Sequence, residues 1–587
     1  LSLFFMFGFQ LTASQQRAVS HGPGPVVVCA GPGTGKTRTL ICRIAWLIDQ
    51  GLAAPEEILA VTFTQKAAEE MRRRLEGLKE GETWASRVRI STFHGLCLRL
   101  LQENLPTPFR LLSEPQALAV LKETIEESFP EFPLRRLKEL ARRIGVTKNH
   151  LLPPETTTTK AFSWDDLPFF PEIYKAYQKK LVEGGVGDFD DLLIRTVNLL
   201  EKDPILKDQV RRRYPFVLVD EFQDINLAQY RLFQSLSREE GPWMVIGDPN
   251  QAIYGFRGSH PDYFFRLKEI YPKAEWIVLE ESFRLNATVV QAAHGVLKSE
   301  TPIKALKAGP PLIPVIGLDD DESEAEYIAE IVEKEVGGLS FLSAASSEGP
   351  GKWGVRSLAD IAVLYRLHAQ GDRLAEVFTR RGIPFQRVSE IHWAEFPETR
   401  ILLKKIQALK GKDLSPAAAV EESMAGEKDP FWTVGEGVEV LKRLRSQAAS
   451  FSGSLSEFVE DLSLLTGLDT FEPEQEAVAL LTLHAAKGLE FPLVIISGCE
   501  ETLLPLSLLK ESEPEEERRL FYVGLTRAVD RVVLTWARRR TLFGRRLDQR
   551  RSPFVEDMGR ELLEERSLSK GKPRKSPRSR QLDLFGR

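Results

Sequence analysis

Eight consecutive residues, Ala30-Gly31-Pro32-Gly33-Thr34-Gly35-Lys36-Thr37, constrain this chain more than any other stretch. They follow the apolar run Val26-Val27-Val28-Cys29, which reads as a buried strand, and precede residues 39–48, whose apolar spacing reads as a helix. A strand, a glycine-rich loop and a helix in this order cradle phosphate. The glycines free backbone N–H groups to wrap phosphate oxygens, and the helix N-terminus adds positive dipole. Lys36 is placed to neutralise the β- and γ-phosphates, and Thr37 to ligate Mg²⁺. Ala30 stands where the strict pattern has its first glycine, a variation that such loops tolerate. A nucleoside-triphosphate site is expected over residues 30–37, with Arg38 following on the helix.

Such a site needs a metal-organising acid on a neighbouring strand. The run Phe216-Val217-Leu218-Val219-Asp220-Glu221 places two carboxylates at the C-terminal end of an apolar strand, where ligands of α/β sheets bind. Asp220 is expected to hold Mg²⁺ through its water shell, and Glu221 to act as general base on the attacking water. A third strand, residues 243–248, leads into Pro249-Asn250-Gln251-Ala252-Ile253-Tyr254-Gly255-Phe256-Arg257-Gly258. A glutamine just past a strand tip, here Gln251, is suited to sensing the γ-phosphate. Tyr254 and Phe256 are suited to stacking on bases, although aromatics taken alone more often belong to a core.

The chain has 587 residues, 42% of them hydrophobic, which allows several domains with proper cores. The formal net charge of −5 gives no global basic field. Basic residues instead crowd residues 567–580 among Ser, Gly and Pro, which reads as disordered. Four cysteines are scattered without metal-type spacing, which argues against zinc, iron–sulfur and disulfide frameworks and fits a reducing cytoplasm. The apolar opening run Leu1–Phe9 is too short to span a bilayer and lacks a basic n-region or cleavage site. A soluble cytoplasmic protein with no membrane partner is expected.

Further motifs line up in order along the chain and together resemble the UvrD/Rep/PcrA-like superfamily 1 DNA helicases, from near residue 10 to near residue 545. Leu11-Thr12-Ala13-Ser14-Gln15-Gln16 is similar to the adenine-reading Q motif, with Gln15 in the reading position. Residues 60–68 (AVTFTQKAA) resemble motif Ia and Ser91-Thr92-Phe93-His94 motif Ib. Val219-Asp220-Glu221-Phe222-Gln223-Asp224 resembles motif II, Gly247–Gly258 motif III and Leu279-Glu280-Glu281-Ser282-Phe283-Arg284 motif IV. Residues 482–491 (TLHAAKGLEF) resemble motif V, and residues 516–528 (EERRLFYVGLTRA) motif VI. The resemblance implies ATP as substrate, Mg²⁺ as cofactor, and Arg284 and Arg527 as cationic groups reaching the γ-phosphate from a second lobe. It implies Phe283 stacking on adenine and Glu490 bonding the ribose. On the DNA side it implies Phe63, Tyr254 and Phe256 against bases, with Thr64, Thr92, His94, Arg257, Arg366 and His484 nearby. Two departures stand out. Motif III has Pro249-Asn250 where many relatives have two acids and Phe256 where many have Trp, and motif IV has Ser282-Phe283 where Asn-Tyr is common.

The implied fold class is α/β: two RecA-like P-loop lobes, parallel sheets flanked by helices, with inserted helical subdomains. Lobe 1A is expected over 1–104 and 187–285, interrupted by a helical 1B over 105–186. Lobe 2A is expected over 286–390 and 475–560, interrupted by a reduced 2B-like insertion over 391–474. Helices are expected there at 398–409, 438–448 and 455–465. The basic tail is expected over 561–587. That tail carries Gln581-Leu582-Asp583-Leu584-Phe585, which resembles the peptide with which bacterial replication and repair proteins bind the sliding clamp. Leu584 and Phe585 would fill an apolar groove while Gln581 bonds at a second small pocket.

The expected function is an ATP-dependent DNA helicase and single-stranded DNA translocase, 3′ to 5′ by resemblance alone, in DNA repair or replication. Its partners would be single-stranded DNA, single-strand/duplex junctions and the clamp. The protein would act near the nucleoid as a monomer or weak dimer. The first alternative is a translocase that clears proteins from single strands and unwinds weakly. The second is a clamp-tethered recruitment factor whose ATPase switches conformation. A generic kinase or GTPase leaves the arginine motifs unexplained.

Overall fold

A computed structural model of the chain describes residues 4–6, 8–78, 84–106, 109–156, 167–298, 303–336, 355, 357–387, 397–409, 412, 414–425, 429–432, 436–451, 454–455, 458–459, 462, 475–507 and 513–568. The chain forms two compact units. The first comprises Leu1–Arg284, Pro302–Lys304 and Val388–Glu472; the second comprises Leu285–Thr301, Ala305–Arg387 and Pro473–Arg587.

The first unit is built on a six-stranded, wholly parallel sheet. Its strand order is Glu275–Leu279, Val26–Ala30, Trp243–Gly247, Phe216–Val219, Ile58–Thr62, Arg89–Thr92. These strands read as near-continuous apolar runs because both faces are covered. Alternate residues serve opposite faces, as a two-residue period requires. Val27, Leu59, Val61, Val217, Val219 and Val245 enter one apolar cluster, and Val26, Val28, Ile58, Ala60, Leu218 and Ile246 enter the other.

An inserted helical domain interrupts this unit. Its helices Glu114–Ser128, Leu137–Asn149 and Phe170–Glu183 close around their own cluster, which includes Leu121, Leu140, Ile144, Ile173 and Tyr177. A second helical segment holds Pro397–Ala408, Pro416–Met424 and Glu436–Ser450 around Ile406, Val420, Trp432 and Leu444. Two of the three helices expected there are described in full. Pro416–Met424 was not anticipated, and most of the expected 455–465 helix lies outside the described residues. In sequence this segment interrupts the second unit between Arg387 and Pro473, while by its contacts it groups with the first.

The second unit carries a seven-stranded, wholly parallel sheet. Its strand order is Phe385–Arg387, Val478–Thr482, Ile361–Tyr365, Phe491–Ile496, Ala528–Ala537, Ile313–Leu318, Leu563–Leu568. Its last strand corrects one boundary. The tail expected from residue 561 starts later, because Leu563–Leu568 pairs in register with Ile313–Leu318. As an edge strand it keeps Glu564, Glu565 and Arg566 facing water, so its composition reads as tail. Among the described residues, no helix is long and apolar enough to cross a membrane.

Candidate nucleotide and nucleic-acid site

Parallel strands deliver their chemistry to one edge of the sheet, the C-terminal one. In the first unit Lys36, Asp220, Gln251, Phe63 and Thr92 all stand at or just beyond the C-terminal ends of their strands.

The phosphate loop is held from three sides. Gly33 and Gly35 adopt φ of +73° and +83°, left-handed conformations that glycine enters without steric cost. Lys36 Nζ donates to the Ala30 carbonyl oxygen at 3.4 Å, spanning the loop that it closes. The strand Glu281–Asn286 latches the outer side. Phe283 N donates to the Gly33 carbonyl oxygen at 2.9 Å, and Ser282 Oγ to that of Pro32 at 3.0 Å. A Cβ at Gly33 would stand 2.6 Å from Arg284 Cβ, where no side chain fits, and one at Gly31 would displace the end of the Ile303 side chain, 2.3 Å away at Cδ1.

Gln15, expected to read adenine, is buried. Its Nε2 donates to the Thr34 carbonyl oxygen at 2.8 Å while its Oε1 accepts the Thr12 N–H, so in this structure it buttresses the loop. The Arg38 guanidinium lies 5.0 Å from the Phe9 ring and 5.9 Å from the Phe283 ring. Arg284, expected from the second lobe, belongs to the same compact unit as the phosphate loop, because the strand that carries it is bonded to that loop.

The acids form a second cluster. Asp220 is nearly buried, and burial together with the adjacent Glu221 pushes its carboxyl up to about 7 against the pull of Lys36. Glu221 sits at φ +50°, an uncommon conformation for a residue with a side chain. Asp248 is raised by burial, again opposed by Lys36, and accepts from Gln251 Nε2 at 2.7 Å. The residue that joins these groups is Gln223, which sequence reasoning did not single out. It is fully buried, donates through Nε2 to Glu221 Oε2 at 2.6 Å, and accepts the Asp248 N–H through Oε1 at 2.9 Å. The signal was present in the Asp220–Asp224 string, but only the neighbouring strand reveals what the amide bridges.

Aromatic side chains gather farther along the same edge. Phe63 and Tyr254 stack with centroids 5.2 Å apart, and Phe256 stands 6.0 Å from Tyr254. The Arg257 guanidinium lies 5.8 Å and 5.7 Å from the last two rings. Exposure separates their roles: Tyr254 is 5% exposed and supports the stack, whereas Phe256 is 45% exposed and presents a face. Thr64 and Thr92 each cap a helix, accepting from Ala67 N and Gly95 N at 3.1 Å.

Two residues expected to contact DNA are held by neighbouring side chains. Burial, with Arg257 close by, pushes the His94 imidazole down to about 3. Its ring stacks at 3.8 Å on Phe189, which is 36% exposed and which sequence reasoning did not single out. In the second unit, Arg366 is committed to an ion pair: Nη2 meets Glu517 Oε1 at 2.7 Å, and Nε reaches both carboxylate oxygens. These bonds use Nε and Nη2 and hold the guanidinium against Glu517.

Also in the second unit, Arg527 is buried, with Nε on the Val523 carbonyl oxygen at 3.0 Å and Nη1 on that of Leu489 at 3.2 Å. It thus fixes the backbone beside the exposed Glu490. His484 follows the strand Val478–Thr482 in a turn where Thr482 Oγ1 accepts from Ala485 N. A further residue escaped sequence reasoning. Phe543 forms the tip of the hairpin Arg539–Leu542/Arg545–Asp548, at φ +51° and 78% exposed, beside the exposed Arg545 and Arg546. A strained, solvated phenyl among arginines has no core to fill. The clamp-like residues Gln581, Leu582, Leu584 and Phe585 lie outside the described residues.

Two parallel-sheet units, one with a phosphate loop and a cluster of acids at the same sheet edge, define a RecA-like P-loop NTPase. Residues 11–272 match the UvrD/REP helicase N-terminal domain and residues 398–539 the UvrD-like helicase C-terminal domain. The chain is 30% identical over 676 residues to the ATP-dependent DNA helicase PcrA of Bacillus subtilis, covering 97% of this chain and 90% of that protein. PcrA proteins of Staphylococcus epidermidis and Staphylococcus aureus are 29% and 28% identical, covering 87% and 88% of their lengths. The chain belongs to the UvrD/REP helicase family.

Proposed function

We propose that this UvrD/REP helicase is a motor that moves 3′ to 5′ along single-stranded DNA in repair or replication. The coarser activity, an ATP-hydrolysing DNA helicase, follows from family membership. The observation that carries the reading is the division of one sheet edge: a phosphate loop with buried acids in one part, and a partly exposed aromatic stack in another. ATP turnover and base contact thereby share one rigid element.

In this reading Lys36 neutralises the terminal phosphates, Gln251 senses the γ-phosphate, and Arg284 and Arg527 balance the charge that develops there. Glu221 takes the proton of the attacking water, aimed by Gln223. Phe283 and Arg38 flank the adenine, and Glu490 meets the ribose. Mg²⁺ fits the donor set, because Thr37 and Asp220 supply hard oxygens and the crowded Asp220 carboxyl gains a counter-charge. The ion would offset negative charge on the phosphates. Phe256 and Phe189 stack on bases, while Thr64, Thr92, Arg257 and His484 line the strand. Phe543 stacks on a base from the second unit.

A second reading, a translocase that clears proteins and unwinds weakly, is favoured by one observation. The alignment with the Bacillus protein is longer than this chain, so that relative carries segments absent here. A reduced 2B-like region over 391–474 would account for it. DNA-stimulated ATPase with 3′-tailed and 5′-tailed unwinding substrates, beside streptavidin displacement, tests both readings. Displacement without strand separation selects the second, and unwinding of 5′-tailed substrate alone refutes the polarity. The proposed setting is the cytoplasm at the nucleoid, as a monomer or weak dimer, with the tail binding the sliding clamp.

A further inference from the structure

A fully buried lysine stands behind the aromatic face. Lys148 lies in the last turn of Leu137–Asn149, in the inserted helical domain, and its side chain has no solvent exposure. Its Nζ meets Asp188 Oδ2 at 2.6 Å and Asp191 Oδ1 at 2.9 Å, and lies 5.3 Å from the Tyr177 ring centroid. Tyr177 and Gln178 donate to the same two carboxylates, at 3.0 Å and 2.9 Å. Asp188 and Asp191 form the capping box of the helix Phe189–Lys202, each accepting the other's backbone N–H.

Phe189, the ring that covers His94, begins that helix between the two aspartates. The next residue, Asp190, accepts from Asn149 Nδ2 at 2.9 Å. Carboxylates crowded away from water hold their places only while a cation offsets them. Lys148 is the cation that meets both Asp188 and Asp191, with Arg195 also 3.5 Å from Asp191. The same helix end also packs against the turn that carries the second exposed ring. A Cβ at Gly258 would stand 3.0 Å from His150 Cε1 and 3.8 Å from Asn149 Cβ, and Gly258 ends the turn Gly255–Arg257 that presents Phe256.

We propose that Lys148 and Asn149 are positioning residues through which the inserted helical domain sets the pose of Phe189, and with it the grip on single-stranded DNA. This rests on the reading of Phe189 and Phe256 as a base-stacking face. Neither residue touches the phosphate site, so the inserted domain tunes DNA affinity separately from ATP turnover.

The test is a double-mutant cycle in the full-length protein, reading ATPase against the concentration of oligo-dT. Lys148→Met is expected to raise the half-saturating DNA concentration about tenfold, the scale of one lost base–aromatic stack. Asn149→Ala is expected to raise it by a smaller factor. Turnover without DNA and the KM for ATP stay within about twofold of the parent in both. Phe189→Ala produces the same shift alone, and adding Lys148→Met to it changes little further. If Lys148→Met does not yield folded protein, Asn149→Ala, which leaves both ion pairs in place, carries the same cycle. Multiplying effects in the double variant, or an unchanged half-saturation in Lys148→Met and Asn149→Ala where Phe189→Ala shifts it, would overturn the positioning role. An unchanged half-saturation in Phe189→Ala would overturn the stacking reading itself, and this inference with it.

Discussion

The Gln223 side-chain amide donates to Glu221 Oε2 at 2.6 Å, and this contact aims the proposed general base. Three substitutions separate the roles around it. Lys36→Ala removes phosphate neutralisation and is expected to lower ATP affinity. Glu221→Gln keeps shape without basicity, so ATP binds and is trapped while turnover falls about a hundredfold or more. Gln223→Ala leaves the base present but unaimed and is expected to lower kcat by roughly tenfold with little change in ATP binding. ATP binding measured beside steady-state ATPase checks all three. Turnover in Glu221→Gln within about threefold of the parent, under ~1 kcal/mol of barrier, refutes the assignment.

Phe256 and Tyr254 are neighbours with opposite expected phenotypes. Phe256→Ala removes an exposed face worth roughly 1–3 kcal/mol of base stacking, so single-strand affinity drops while DNA-free ATPase is kept. Tyr254→Ala opens a cavity beneath the stack and is expected to cost about 3 kcal/mol of stability. Thermal melts and DNA titrations on the two variants separate these outcomes.

Asp190 gives a pH signature. Burial and the neighbouring Asp188 push its carboxyl up to about 6, above the unfolded value near 3.9. The folded state therefore holds this proton more tightly than the unfolded chain, and its contribution to stability declines as pH rises from about 4 to about 6. Asp190→Asn removes that penalty and keeps an oxygen to accept from Asn149. The variant's melting advantage over the parent should grow across this window and level off above it, at no more than about 3 kcal/mol. A pH-independent difference between the two proteins contradicts the assignment.

The Phe543 hairpin predicts a loss confined to DNA work. Phe543→Ala leaves the phosphate site intact, so DNA-free ATPase is unchanged while strand separation falls about tenfold, the scale of one stacking contact. The same variant is expected to melt no lower than the parent, because a 78% exposed ring at φ +51° contributes little packing. A lower melting temperature with unchanged unwinding assigns the ring to packing instead.

Removal of the residues after Ser579 tests the proposed clamp contact. Burial of Leu584 and Phe585 gives on the order of 1.5–3 kcal/mol each, leaving an affinity near micromolar after ordering costs. Titration of purified clamp against full-length and truncated protein should show binding only in the former. Equal affinity for both eliminates the contact.

The strand, loop and helix around Lys36 and the apolar strand that ends at Asp220 were legible in the sequence because each depends on local order. The two parallel sheets were legible for the same reason, since strands buried on both faces must be apolar throughout. Tertiary structure decided what depended on residues distant in sequence. The His94 imidazole is held low by burial and by Arg257, and it stacks on Phe189, from beyond the inserted helices in sequence. The guanidinium of Arg366 is committed because Glu517 faces it, and Gln223 is a bridge because the strand Trp243–Gly247 lies alongside. Motif order sets which chemistry a chain can host. Burial and charge pairing, which act through space, set which side chains are available to perform it.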